Sequence, residues 1–154
     1  MIYKKYFSLV LGFFLIISFA HSQEAEETGT VFPPQAIIIA SYRGDENMVR
    51  EILAAGTDKN VRDALGATAL HAATYQLNLN VVKLLVDHGF DLNAQDTKNG
   101  YTPLHTAVAA NNVSVARLLV QYKANKDIRD LNKQTPLEKA RREDKQEMVR
   151  VLIR

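Results

Sequence analysis

The chain has 154 residues, no cysteine and a formal charge of +2 at neutral pH. Without cysteine there is neither a disulfide framework nor a thiol for lipid attachment, so packing alone must hold the fold. Lys4 and Lys5 supply the whole excess of charge; from Gln23 onward 17 basic residues face 17 acidic ones, and nothing marks nucleic acid or an anionic membrane as a partner.

The first element is an address. Lys4 and Lys5 precede an apolar run from Tyr6 to Ala20, followed by Ala20-His21-Ser22. A basic start, an apolar centre and small residues at the processing positions predict a signal peptide over residues 1–22, cleaved before Gln23. The run is about 15 residues, short of the ~20 that span a bilayer. The alternative is a run retained as a membrane tether. Cleavage would leave the mature protein periplasmic or secreted, with no membrane contact. Residues 23–34 carry Glu24, Glu26 and Glu27 and end at Pro33-Pro34, which reads as a flexible linker.

From Gln35 the chain repeats itself. Thr102-Pro103-Leu104-His105 has a copy 34 residues earlier, Thr68-Ala69-Leu70-His71, and another 33 later, Thr135-Pro136-Leu137-Glu138. Gln35-Ala36-Ile37-Ile38 is a weaker fourth copy. A fixed period near 33 means stacked units. In the unit from Thr102, Thr suits a helix N-cap and Pro103 the first helical position. A short Ala-rich helix follows. A second helix carries Val115, Leu118 and Leu119 in the third unit, an i, i+3, i+4 apolar stripe. Asn112 is placed to cap that second helix, so the formal glycosylation triplet Asn112-Val113-Ser114 reads as a cap. Gly56 and Gly89 stop second helices. Polar loops of matching length follow, Gly56 to Asp63, Gly89 to Asp96 and Lys123 to Asp130.

These tetrads, the small residues Ala72, Ala73 and Ala107 behind them, the Val-Val-x-Leu-Leu-like second helices and Gly89-Phe90-Asp91-Leu92-Asn93-Ala94 resemble the ankyrin repeat family. The resemblance covers residues 35–154, with repeats at about 35–66, 67–100, 101–133 and 134–154. It implies an all-α solenoid of four helix-turn-helix repeats joined by β-hairpin-like loops. Three features depart from the family pattern. Asn99 is an extra residue beside Gly100; Leu77 and Asn111 stand where the family has a glycine between its helices; and the last repeat stops at Arg154, just inside its second helix, with a charged end (Arg141, Arg142, Glu143, Asp144, Lys145, Glu147) as expected of a capping unit.

Catalytic chemistry is hard to assemble from these residues. His71 and His105 occupy equivalent places in adjacent repeats, where the resemblance implies a hydrogen bond to the tetrad Thr. Packed helices lie ~8–10 Å apart, too far for two parallel side chains to share one metal. A metal-dependent role for His71 and His105 is the lesser alternative. Neither Ser41 nor Ser114 sits in a Gly-x-Ser-x-Gly turn, and no glycines have phosphate-loop spacing. The expectation is no enzyme and no cofactor.

The family binds other proteins through its loop tips and the exposed side of its first helices. Carried onto this chain, that surface includes Tyr42, Arg43, Tyr75 and Gln76 on helices, and Lys98 and Tyr101 on a loop tip. Arg62 and Arg129 come just before tips. Tyr and Arg are the residue types enriched in binding hot spots. The competing account is that the tyrosines only cover helix edges. The resemblance thus implies an exported, monomeric protein-binding module. Exported members of the family include supporters of a peroxide-degrading catalase and immunity partners of a secreted toxin, and the residues do not choose between these partners.

Overall fold

A computed structural model describes residues 31–154; the apolar run, the cleavage position and residues 23–30 of the linker lie outside the described residues. Eight helices follow one another: α1 (Ala36–Arg43), α2 (Glu46–Ala54), α3 (Ala69–Tyr75), α4 (Leu79–Asp87), α5 (Pro103–Ala109), α6 (Val113–Gln121), α7 (Pro136–Arg142) and α8 (Gln146–Leu152). Among the described residues every regular element is a helix. They pair as α1–α2, α3–α4, α5–α6 and α7–α8, and each helix also packs on its counterpart in the next pair. The result is two layers, first helices and second helices, in an all-α solenoid.

The packed body begins at Phe32, slightly before the expected start at Gln35. Phe32 is half-buried against the core, and Pro33 O accepts from Ala36 N at 2.8 Å. The end of the expected linker therefore starts the first helix. Gln35 makes no side-chain cap there, which is why the first tetrad looked degenerate.

The three other tetrads form reciprocal caps. Thr102 Oγ1 accepts from His105 N, and Thr135 Oγ1 from Glu138 N at 3.2 Å. In return Thr68 N and Thr102 N donate to the Nδ1 atoms of His71 and His105, and Thr135 N donates to Glu138 Oε2. Two otherwise unpaired backbone donors are satisfied at each helix start.

The core repeats as the sequence does. Ile37, Leu70 and Leu104 hold one register position and are wholly buried; Leu137, with a described neighbour on one side only, is partly buried. Behind them Ala40, Ala73, Ala107 and Ala140 form a buried stripe. Small side chains there let the first helices approach closely. On the second helices the burial differs from the expected stripe. Val115, Ala116 and Leu119 are buried, whereas Leu118 is only half-buried. The helix sits between its own first helix and two neighbours, and that wedge selects i, i+1 and i+4.

Each turn between paired helices has one left-handed residue: Gly44 (φ 68), Leu77 (φ 63), Asn111 (φ 55) and Asp144 (φ 52). Leu77 and Asn111 thus adopt the glycine conformation without being glycine. Asp45, Asn78 and Asn112 then cap the second helices through side-chain oxygens. Asn78 Nδ2 also donates to Gly44 O at 2.9 Å and Asn112 Nδ2 to Thr74 O at 3.4 Å, tying each repeat to the one before. In the last repeat Lys145 replaces the amide and donates to Val108 O and Ala109 O at 2.6 and 3.0 Å.

Candidate functional site

The loops between repeats stand beside the first helices and are built by aspartates. Asp63 Oδ1 accepts from Leu65 N and Ala67 N; Asp96 Oδ1 accepts from Asn99 N and Tyr101 N; Asp130 Oδ1 accepts from Gln134 N. Each curls the tip onto one carboxylate oxygen, and Asp63, bonding two residues on, does so as an Asx turn. Adjacent tips are joined by Thr97 N to Leu65 O and Leu131 N to Asn99 O, both 2.9 Å. The extra residue Asn99 supplies that second carbonyl. A β-carbon on Gly66 would lie 2.8 Å from Thr97 N, and one on Gly100 3.0 Å from Leu131 N. At both, φ is positive and the next loop presses on the tip, so only glycine fits. Lys133 holds the same position with φ 62, and no further loop is described against it.

Between these tips and helices α1, α3 and α5 lies a groove of about 900 Å³. The period places Tyr42 and Tyr75 at the same register on neighbouring helices. Their rings stack with centroids 6.3 Å apart and planes at 11°. Tyr42 is 52% exposed and Tyr75 58%. Ile39, one helical turn before Tyr42, and Leu65 on the first tip are each 50% exposed and line the same groove. Arg43, Lys98 and Tyr101 line it too.

Five of the eight expected positions therefore converge: Tyr42, Arg43, Tyr75, Lys98 and Tyr101. Tyr101 is half-buried, stacks on His105 with centroids 5.6 Å apart, and lies under Lys139 Nζ at 4.9 Å. Gln76 is exposed at the end of α3 and outside the groove lining. Arg62 and Arg129 are also outside it. Arg62 donates to Gly66 O and Gln95 O; Gln95, the equivalent residue one repeat on, donates to Gly100 O and Arg129 O. Arg129 donates to Lys133 O and pairs with Glu138 at 2.7 Å. These three side chains form a ladder that braces the loops. Ile39 is among the groove residues the site expectation lacked; its i, i+3 relation to Tyr42 was the available signal.

The histidines join repeats. His71 Nε2 meets Tyr101 O at 2.9 Å and His105 Nε2 meets Gln134 O at 3.0 Å. Because each Nδ1 accepts a backbone N–H, Nε2 must carry the proton that it donates to the next repeat's carbonyl. Both nitrogens of each ring thus have protein partners. Burial pushes both imidazoles below their usual pKa, outweighing the carbonyl bonds and nearby carboxylates that favour the charged form. In the last repeat burial raises Glu143, but hydrogen bonds from Lys139 and Lys145 and their charges override it and hold the carboxyl at about 2. Among the described residues no cluster of three metal-binding side chains occurs, and no helix is long and apolar enough to cross a membrane.

The family model for ankyrin repeats (3 copies) matches residues 14–96, 36–130 and 95–154, most of the chain. The chain belongs to the ankyrin repeat family. The ankyrin stack is 38% identical over 64 residues to the potassium channel AKT1 of Arabidopsis thaliana, and 38% over 65 to the AKT1 channel of Oryza sativa subsp. japonica. These stretches are 42% of this chain and 7% of each channel. It is 36% identical over 63 residues to the putative ankyrin repeat protein YahD of Escherichia coli (strain K12), 41% of this chain and 31% of that protein. The chain thus spans a small part of these relatives. Ankyrin repeats are protein–protein interaction modules.

Proposed function

We propose that the chain is an exported, monomeric and non-catalytic docking module that captures a protein partner in the groove around Tyr42 and Tyr75. The observation that carries this reading is the stacked tyrosine pair, more than half exposed, with Ile39 and Leu65 beside it. Rings that merely covered helix edges would have no need of a shared apolar floor. Contiguous exposed apolar surface rimmed by polar groups is what a docking site offers. The loop braces and inter-repeat bonds hold that surface preformed, so association costs little ordering entropy. A catalase or a secreted toxin remains the partner class for an exported module of this kind.

The double substitution Tyr42→Ala with Tyr75→Ala tests the reading. Partner capture falls by more than about tenfold, while the melting temperature moves by no more than about 5 °C because the lost contacts are half-solvated. Intact capture with a large fall in melting temperature assigns the rings to covering the helices instead. Export has its own test: mass spectrometry of the mature protein should find Gln23, free or cyclised, at the N-terminus. A mature chain retaining Tyr6 to Ala20 indicates a tethered module.

A further inference from the structure

The charges lining the groove are not equivalent. Asp63 and Asp96 each turn one carboxylate oxygen onto two backbone N–H groups of their own loop tips. Arg43, from the end of α1, and Lys98, from the tip before α5, line the same groove. Neither belongs to an ion pair among the described residues. Each anion thus has two backbone donors of its own, whereas Arg43 and Lys98 are exposed. The same groove carries the apolar surface of Ile39, Leu65 and the two tyrosines. The ring centroids are 6.3 Å apart, less than the ~7 Å that a third ring would need between them at van der Waals contact. An incoming side chain must lie across the outer ring faces and leave the hydroxyls free to donate. Tyr122 shows the chemistry elsewhere in this chain, donating to Asp87 at 2.6 Å.

We propose that the groove recognises an acidic–aromatic segment of its partner: an Asp or Glu beside an aromatic side chain. The carboxylate meets Arg43, Lys98 and the tyrosine hydroxyls, and the aromatic ring lies on the Tyr42–Tyr75 stack. This rests on the docking reading above and adds its chemistry. Arginine holds a carboxylate bidentately and tolerates desolvation, whereas lysine acts as a point charge. Exposed cations act within about 8 Å at physiological salt, so the recognition weakens as salt rises.

The test uses the full chain and three fluorescent hexapeptides centred on Glu-Phe-Glu, Lys-Phe-Lys and Glu-Ala-Glu, read by anisotropy. The Glu-Phe-Glu peptide should bind at least about tenfold more tightly than either other. The paired variant Arg43→Glu, Lys98→Glu should reverse the preference in favour of Lys-Phe-Lys. Equal or tighter binding of Lys-Phe-Lys to the unaltered protein, or no binding of any peptide at millimolar concentration, overturns the proposal. Partner capture separates the two levels. If Tyr42→Ala with Tyr75→Ala abolishes capture but Arg43→Glu with Lys98→Glu leaves it whole, docking stands and the acidic assignment falls. If the tyrosine variant still captures, docking in this groove falls with it.

Discussion

Leu77 carries the clearest local strain in the molecule. It is 60% exposed and held at φ 63, where a branched side chain crowds the backbone. Little packing is lost by removing it. Leu77→Gly should therefore raise stability by about 0.5–1 kcal/mol, since relief of the left-handed cost of ~1–2 kcal/mol outweighs the entropy glycine loses on folding. Urea unfolding checks it, and a lower midpoint would show that Leu77 packs more than its exposure says. The titratable residues give a second expectation. His71 and His105 have folded pKa values below the usual 6.5, so the unfolded chain takes up protons that the folded one refuses. Their stability contribution is whole above that range and shrinks as pH falls through it. Glu143, held at about 2 against 4.5, adds a further loss between those two values. The urea midpoint should fall from pH 7.5 to 5.5 and again below pH 4.5. The double variant His71→Gln, His105→Gln should start lower at neutral pH and lose the first fall. A midpoint that rises on acidification contradicts both assignments. These residue roles were half legible: Thr-x-x-His announced the cap, but nothing in one repeat reveals that Nε2 reaches into the next.

Helix existence followed from the period, because each element was written several times and noise in one copy was corrected by the others. The buried face of a single helix was less legible. Leu118 and Leu119 both fit an apolar stripe, but Leu119 is fully buried and Leu118 half-buried. Periodicity places an apolar arc; the position of the neighbouring helices decides which edge of it is driest. Leu119→Ala should cost about 2–5 kcal/mol, and Leu85→Ala the same at its equivalent position. Leu118→Ala should cost nearer ~1–2 kcal/mol. Equal losses at 118 and 119 in urea unfolding would mean that the second-helix layer packs differently. Arg62 and Arg129 failed to join the groove for a related reason. Residue type suggested a binding arginine, but the donors are taken up by loop carbonyls. Their register with Gln95, one repeat apart, was the visible sign of a ladder.

At the scale of the whole molecule, repetition aligns equivalent side chains in rows, and each row has one environment. The alanine row is buried and holds the stack together; the row of Tyr42 and Tyr75 is exposed and stacked. Function enters where a row departs from what packing needs. Tetrads and second helices announced the scaffold, whereas the groove depended on loop tips whose aspartate hydrogen bonds fall at offsets that change from one repeat to the next. The most direct measurement of the central claim is site-specific photocrosslinking in cells that make the protein, with the reactive group placed at Tyr75 in the groove or at exposed Lys83 on the second-helix layer. The account predicts one discrete protein adduct from position 75 and none from position 83. The same adduct from position 83, with position 75 silent, would contradict it.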